Sequence, residues 1–116
     1  MDIYHGFFSL KPGSSDTEFA DNLGAYLDGL KTAGKIAGWR LMRRKLGLGP
    51  REMGEFHFMI EVENLAQLEA AFQLVSSREG DTEFRHHAVN SMIEDITFAL
   101  YRDFPDPHRV RGNEKF

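Results

Sequence analysis

Between positions 55 and 62 the chain reads Glu-Phe-His-Phe-Met-Ile-Glu-Val, and this alternation restricts the fold more than any other stretch. A period of two puts Phe56, Phe58, Ile60 and Val62 on one face of a strand and Glu55, His57, Met59 and Glu61 on the other. The first set must be covered by another layer, because a strand buries its apolar face only against a second element.

The covering layer is legible on both sides of this strand. Ser15-Asp16-Thr17-Glu18 is a capping box, in which the Ser hydroxyl accepts from the third amide of the helix and the Glu returns to the Ser amide. Phe19, Leu23, Tyr26, Leu27 and Leu30 then follow at helical spacing, with Gly34 as a stop. The glycines at 24 and 29 cost about 1 kcal/mol each against Ala, so this helix depends on tertiary packing. After the alternating strand, Asn64 and Gln67 cap a second helix whose stripe is Leu65, Leu68, Ala71, Phe72 and Val75, running until Gly80. A short helical segment over residues 82–92 places Phe84, Ala88 and Met92 four apart.

Three further strands complete the pattern. Residues 3–10 are aromatic-rich and stop at Lys11-Pro12-Gly13. Residues 39–46 alternate and run into a glycine- and proline-containing hairpin loop at 47–54. Residues 96–104 end at Pro105-Asp106-Pro107. The order strand, helix, strand, strand, helix, short helix, strand predicts an α+β, ferredoxin-like βαββαβ fold: a four-stranded antiparallel sheet, spatial order 4-1-3-2, with helices on one face. At 116 residues there is room for one core, read as a single domain over 1–105 followed by a tail over 106–116 without periodicity.

The strand order also predicts neighbours on the uncovered face. The first and third strands are expected side by side and parallel, which sets His57, Met59 and Glu61 beside His5, Phe7 and Ser9. Arg44 is expected near His57 and Arg40 near Glu61, with Tyr101 and Asp103 approaching the start of the first strand. Such a face, carrying Phe7, Met42, Leu46 and Met59 among polar groups, is suited to burial against a second copy. Covering its apolar side chains is worth at most about 1.5 to 3 kcal/mol each, on the order of 10 kcal/mol per subunit. Association costs about 4 to 15 kcal/mol, so a twofold homodimer through the open sheet face is the expected partner arrangement.

Composition excludes several chemistries. With no cysteine, disulfide scaffolds, thiolate zinc sites, iron–sulfur clusters and cysteine nucleophiles are out. A net charge of −4, with the Phe56 and Phe58 rings needed under the helices, argues against the base-stacking sheet of an RNA-binding protein, and no nucleic-acid partner is expected. No stretch approaches the length of a membrane span and the amino terminus has no leader-like pattern, so a cytoplasmic protein without a membrane partner is expected. Phosphate-loop, dinucleotide and serine-elbow motifs are absent, and no cofactor is expected.

His5 and His57 are the sharpest candidates for chemistry, since neutral imidazoles act as bases or metal ligands near physiological pH. The other reading is that both are hydrogen-bonded within an interface and do no chemistry. Arg44 is a candidate for holding an anionic group and Tyr101 for donating to a developing oxyanion. Phe7, Met59 and Glu61 are candidate ligand contacts on the same face, and His87 a candidate at a cleft mouth. His86 and His87 diverge by about 100° on a helix and lack the HExxH spacing, so no metal site is expected there.

Gly38-Trp39-Arg40-Leu41-Met42-Arg43-Arg44, the run from Phe58 to Leu68, and Phe98-Ala99-Leu100-Tyr101-Arg102-Asp103-Phe104-Pro105 together resemble the dimeric α/β-barrel superfamily, which includes antibiotic-biosynthesis monooxygenases, EthD-like proteins and stress-responsive barrel proteins. The resemblance covers nearly the whole chain and marks the fold, not a catalytic signature. It implies two sheets meeting across a dimer axis, with a cleft between sheet and helices in each subunit. Members include cofactor-free oxygenases, isomerases, haem-degrading enzymes and proteins without known activity, so no catalytic residue is carried over. Two functions follow as expectations. One is a homodimeric small-molecule-binding protein with a partly apolar ligand in its cleft. The alternative is a cofactor-independent monooxygenase or isomerase acting on an aromatic or polyketide-like substrate, with His57 or His5 as base.

Overall fold

A computed structural model describes residues 1–78 and 80–112. Its elements are β1 (Asp2–Leu10), α1 (Asp16–Thr32), β2 (Gly38–Arg43), β3 (Phe56–Val62), α2 (Leu65–Ser76), α3 (Gly80–Asn90) and β4 (Ile93–Arg102). The sheet order is β2-β3-β1-β4, and every neighbouring pair is antiparallel. This is the ferredoxin-like α+β plan expected.

One expectation within that plan is corrected. β3 runs antiparallel to β1, not parallel. β1 and β2 are joined through a helix and run the same way, and the hairpin between β2 and β3 reverses the chain, so β3 must oppose β1. The central register pairs His5 with Met59 and Phe7 with His57.

Phe56, Phe58, Ile60 and Val62 are buried while His57, Met59 and Glu61 are partly exposed, as the alternation requires. They pack with Phe8 of β1 and with Phe19, Leu23, Leu27 and Leu30 of α1. Ser15 caps α1 by accepting from the Glu18 amide at 3.2 Å. Asn64 caps α2 by accepting from the Gln67 amide at 2.9 Å, and Gln67 in turn accepts from the Glu63 amide at 2.8 Å. The Gln67 amide group also donates to the Gly34 carbonyl at 3.1 Å, tying the start of α2 to the end of the first helical unit. Leu68 and Ala71 are the buried residues of α2, and Leu65 and Phe72 are exposed.

Several boundaries differ from the sequence reading; α3 spans Gly80–Asn90 and not 82–92, and β4 ends at Arg102 and not at 104. β2 ends at Arg43, so Arg44 and Leu46 lie in the loop, where Leu46 has φ 55° and is fully on the surface. β4 begins at Ile93, three residues early, and an irregularity in its pairing falls between Phe7 and Ser9 with Asp95 at φ 55° beside it. Such a bulge strengthens local twist. Buried Asp2 accepts from Arg102 Nε, and the amino terminus lies 3.4 Å from Asp103, so the first and last strands are clamped at one end. Residues 113–116 of the expected tail lie outside the described residues.

Candidate functional site

The sheet separates two concave regions. On the open face, His5 Nδ1 and His57 Nε2 are hydrogen-bonded at 2.8 Å. The register places them on a diagonal between adjacent strands, within reach of long and aromatic side chains. Phe7 stacks on His57 at 4.1 Å between ring centroids, and Tyr101 sits edge-on to His5 at 5.1 Å. Burial lowers the pKa of His5; for His57 burial acts first and the neighbouring His5 charge adds to it. Both effects favour the neutral ring, because a proton on either imidazole is poorly solvated and faces its neighbour.

The expected neighbours of this pair are partly revised. Met42, not Arg44, is the register partner of His57, and Arg40 stands opposite Met59 while Gly38 takes the place opposite Glu61. The long loop explains the slip: Arg43 and Phe56 form the last pair, leaving Arg44 beyond the strand. Arg44 still lines a hollow of about 200 Å³ with Phe7, Met42, Leu48, Pro50 and His57, but its guanidinium donates to the Pro50 carbonyl. Met59 and Glu61 are half-buried on this face, and Asp103 is engaged by the amino terminus.

The second region lies between sheet and helices, where a cavity of about 200 Å³ opens. Its walls are Leu23, Leu27, Leu30, Ile36, Phe58, Ile60, Leu68, Ala71, Val75 and Val89, with Tyr4, Tyr26, His86 and Asn90 as the polar lining. Tyr4 stacks on Phe98 at 5.5 Å and meets the Phe72 ring edge-on at 5.4 Å. In the same lining His86 packs on Tyr26 at 5.6 Å. The Tyr26 phenol is pushed up to about 12, by burial first and then by the Tyr4 and Glu83 charges; burial raises Tyr4 as well.

His87 does not line this cavity. It is exposed, and His86 takes the position expected of it. The reason is the phase of α3, which packs on α1 through Arg85, whose guanidinium donates to the Ala25 carbonyl at 3.3 Å, and through His86 and Val89. Phe84, expected inward, is 77% exposed. Tyr4, Tyr26, His86 and Asn90 were not singled out by sequence. Tyr26 stood in the α1 stripe and Tyr4 in the first strand, but nothing local showed that a cavity opens between them. Among the described residues no cluster of three or more His, Asp or Glu is arranged to hold a metal ion, and no helix is long and apolar enough to cross a membrane.

Solved structures share this architecture at identities that speak for the fold alone. At3g17210 from Arabidopsis thaliana superposes with a TM-score of 0.68 at 10% identity, over 89% of this chain and 95% of that one. A mutant of SnoaB, a cofactor-independent oxygenase from Streptomyces nogalater, gives 0.67 at 7% identity, over 93% and 97%. A dimeric ferredoxin-like protein of unknown function from Jannaschia gives 0.60 at 14%, over 89% and 100%. No curated protein matches the chain in sequence. A family profile does match, over residues 1–116, and by that match the chain belongs to DUF6614, a family of unknown function.

Proposed function

We propose that the protein is a homodimeric small-molecule-binding protein, in which the open sheet face meets a second copy and the cleft between sheet and helices holds a small, partly apolar ligand. The observation that carries the reading is the apolar cavity with four polar side chains in its lining, since ligand sites are typically apolar hollows with a few placed polar groups. The dimer is supported by the aromatic and methionine-bearing open face, where Phe7, Met42, Met59 and Tyr101 surround the histidine pair, and by the dimeric relatives in fold. Sedimentation equilibrium combined with a thermal-shift screen of neutral aromatic compounds tests both halves. A mass near twice 13.3 kDa and at least one stabilising compound are expected; a monomer that no compound stabilises defeats the proposal.

A second reading is favoured by one observation, the hydrogen-bonded pair of neutral-leaning imidazoles. In it the chain is a cofactor-independent oxygenase or isomerase for an aromatic or polyketide-like substrate, with His57 as base, His5 holding its ring, and Tyr101 polarising an oxygen. The substrate would then enter the open-face hollow beside Arg44 and Phe7 and not the cleft, because the sheet lies between His57 and the cleft. His57→Ala distinguishes the two: lost turnover with unchanged melting temperature supports catalysis, and lost dimerisation supports an interface histidine.

A further inference from the structure

We infer that the cleft selects an uncharged, flat ligand about the size of two fused rings that offers a hydrogen-bond acceptor, with Tyr26 as the donor that recognises it. This rests on the cleft being the ligand site.

Size comes first. A dry cavity of about 150 Å³ admits a single benzene ring, and this one is about 200 Å³, which leaves space for a second fused ring but not for a long chain. Shape follows from the walls. Two groups of rings stand in the lining, Tyr4 with Phe72 and Phe98, and Tyr26 with His86, surfaces against which a planar molecule stacks or packs edge-on.

Charge is decided by what the lining lacks. Among the described residues no Lys, Arg, Asp or Glu lines the cavity. Arg85, adjacent in sequence to His86, is turned to the Ala25 carbonyl on α1. A carboxylate or ammonium entering here exchanges water for a lining with no Lys, Arg, Asp or Glu to pair with it, which costs far more than an amide or ketone pays for the same move. The Tyr26 phenol stands in the lining and carries a proton to donate, which an acceptor oxygen on the ligand would satisfy. A ketone, lactone or quinone oxygen on the ring system fits this chemistry.

Titration calorimetry on the full chain near neutral pH tests the inference with four probes of matched size: 1-tetralone, tetralin, 1-naphthoate and 1-naphthylmethylammonium. Tetralone is expected to bind at least tenfold more tightly than either charged probe. Tyr26→Phe is expected to weaken tetralone by about tenfold, the usual worth of one neutral hydrogen bond, and to leave tetralin unchanged. Charged probes binding as tightly as tetralone, or tetralone unaffected by Tyr26→Phe, overturn the inference while the cleft reading stands, provided the cavity-filling variant Val75→Phe abolishes binding. Binding that survives Val75→Phe, or no binding by any probe, overturns the cleft reading itself. Should Val75→Phe not fold, nuclear Overhauser contacts from the probe to the Tyr4 and Phe58 rings locate it instead.

Discussion

A phenol at position 26 that keeps its proton to about pH 12 alters how the folded chain responds to alkali. The unfolded chain gives up this proton near the ordinary value of 10.0, so between the two values the folded state binds more protons. Stability is then fully present below about pH 10 and falls as pH rises toward 12. Tyr26→Phe should flatten that fall, read as melting temperature against pH. The histidines act in the opposite sense. His5 and His57 have folded pKa values below the ordinary 6.5, so the folded state binds fewer protons and loses stability as pH drops below that value. Facing the pair are Phe7, Met59 and Glu61 on the central strands, Arg40, Met42 and Arg44 from the β2 side, and Tyr101 from β4. His57→Gln should reduce the acid-side slope of the melting curve; an unchanged slope would show that the pair does not govern it.

Among the elements, two glycines illustrate how the same residue type answers different demands. Gly24 sits inside α1, and a Cβ there would meet the Trp39 ring at an ordinary 3.6 Å. Gly24→Ala is therefore expected to stabilise the chain by up to about 1 kcal/mol, through helix propensity. Gly54, at φ 74°, closes the β2–β3 loop, and a Cβ there would lie 2.5 Å from the Phe8 carbonyl oxygen. Backbone cannot swing aside as a side chain can, so Gly54→Ala should cost about 2 kcal/mol or more, from strain and overpacking together. Denaturant unfolding of both variants checks the opposite signs. The same loop presents Leu46 and Leu48 to solvent while Leu48 and Pro50 line the open-face hollow, so its geometry also bears on the open face.

For the whole molecule, the radius of gyration of 16.1 Å exceeds the roughly 13 Å expected of a compact chain this long. The extents of 54 × 37 × 18 Å describe a slab whose helices lie on one side of the sheet. A second slab placed on the open face would cover the aromatic and methionine side chains that this antiparallel sheet leaves on its uncovered side. Met59→Glu, at the centre of that face beside His5, should shift sedimentation toward the monomer without unfolding the chain. A variant that remains dimeric would place the interface elsewhere.

Much of this architecture is written in local periodicity. The alternation from Phe56 to Val62, the Ser15 and Asn64 caps and the Phe19-Leu23-Leu27-Leu30 stripe each depend on spacing over a few residues, and spacing is a property the sequence carries alone. That His5 and His57 share a face is legible from a period of two, but their meeting depends on the antiparallel register, which sets His57 opposite Phe7 and diagonal to His5. Strand direction follows from the connectivity of crossover and hairpin, whereas the register, the end of β2 at Arg43 and the rotation of α3 were settled by tertiary structure. A helix of weak apolar character such as α3 has no preferred face until it packs, and α1 chose Arg85, His86 and Val89 over Phe84. The cleft is a property of the assembled fold for the same reason: Tyr4, Tyr26, His86 and Asn90 come from three elements, and the space between them exists only where the helical layer stands off the sheet.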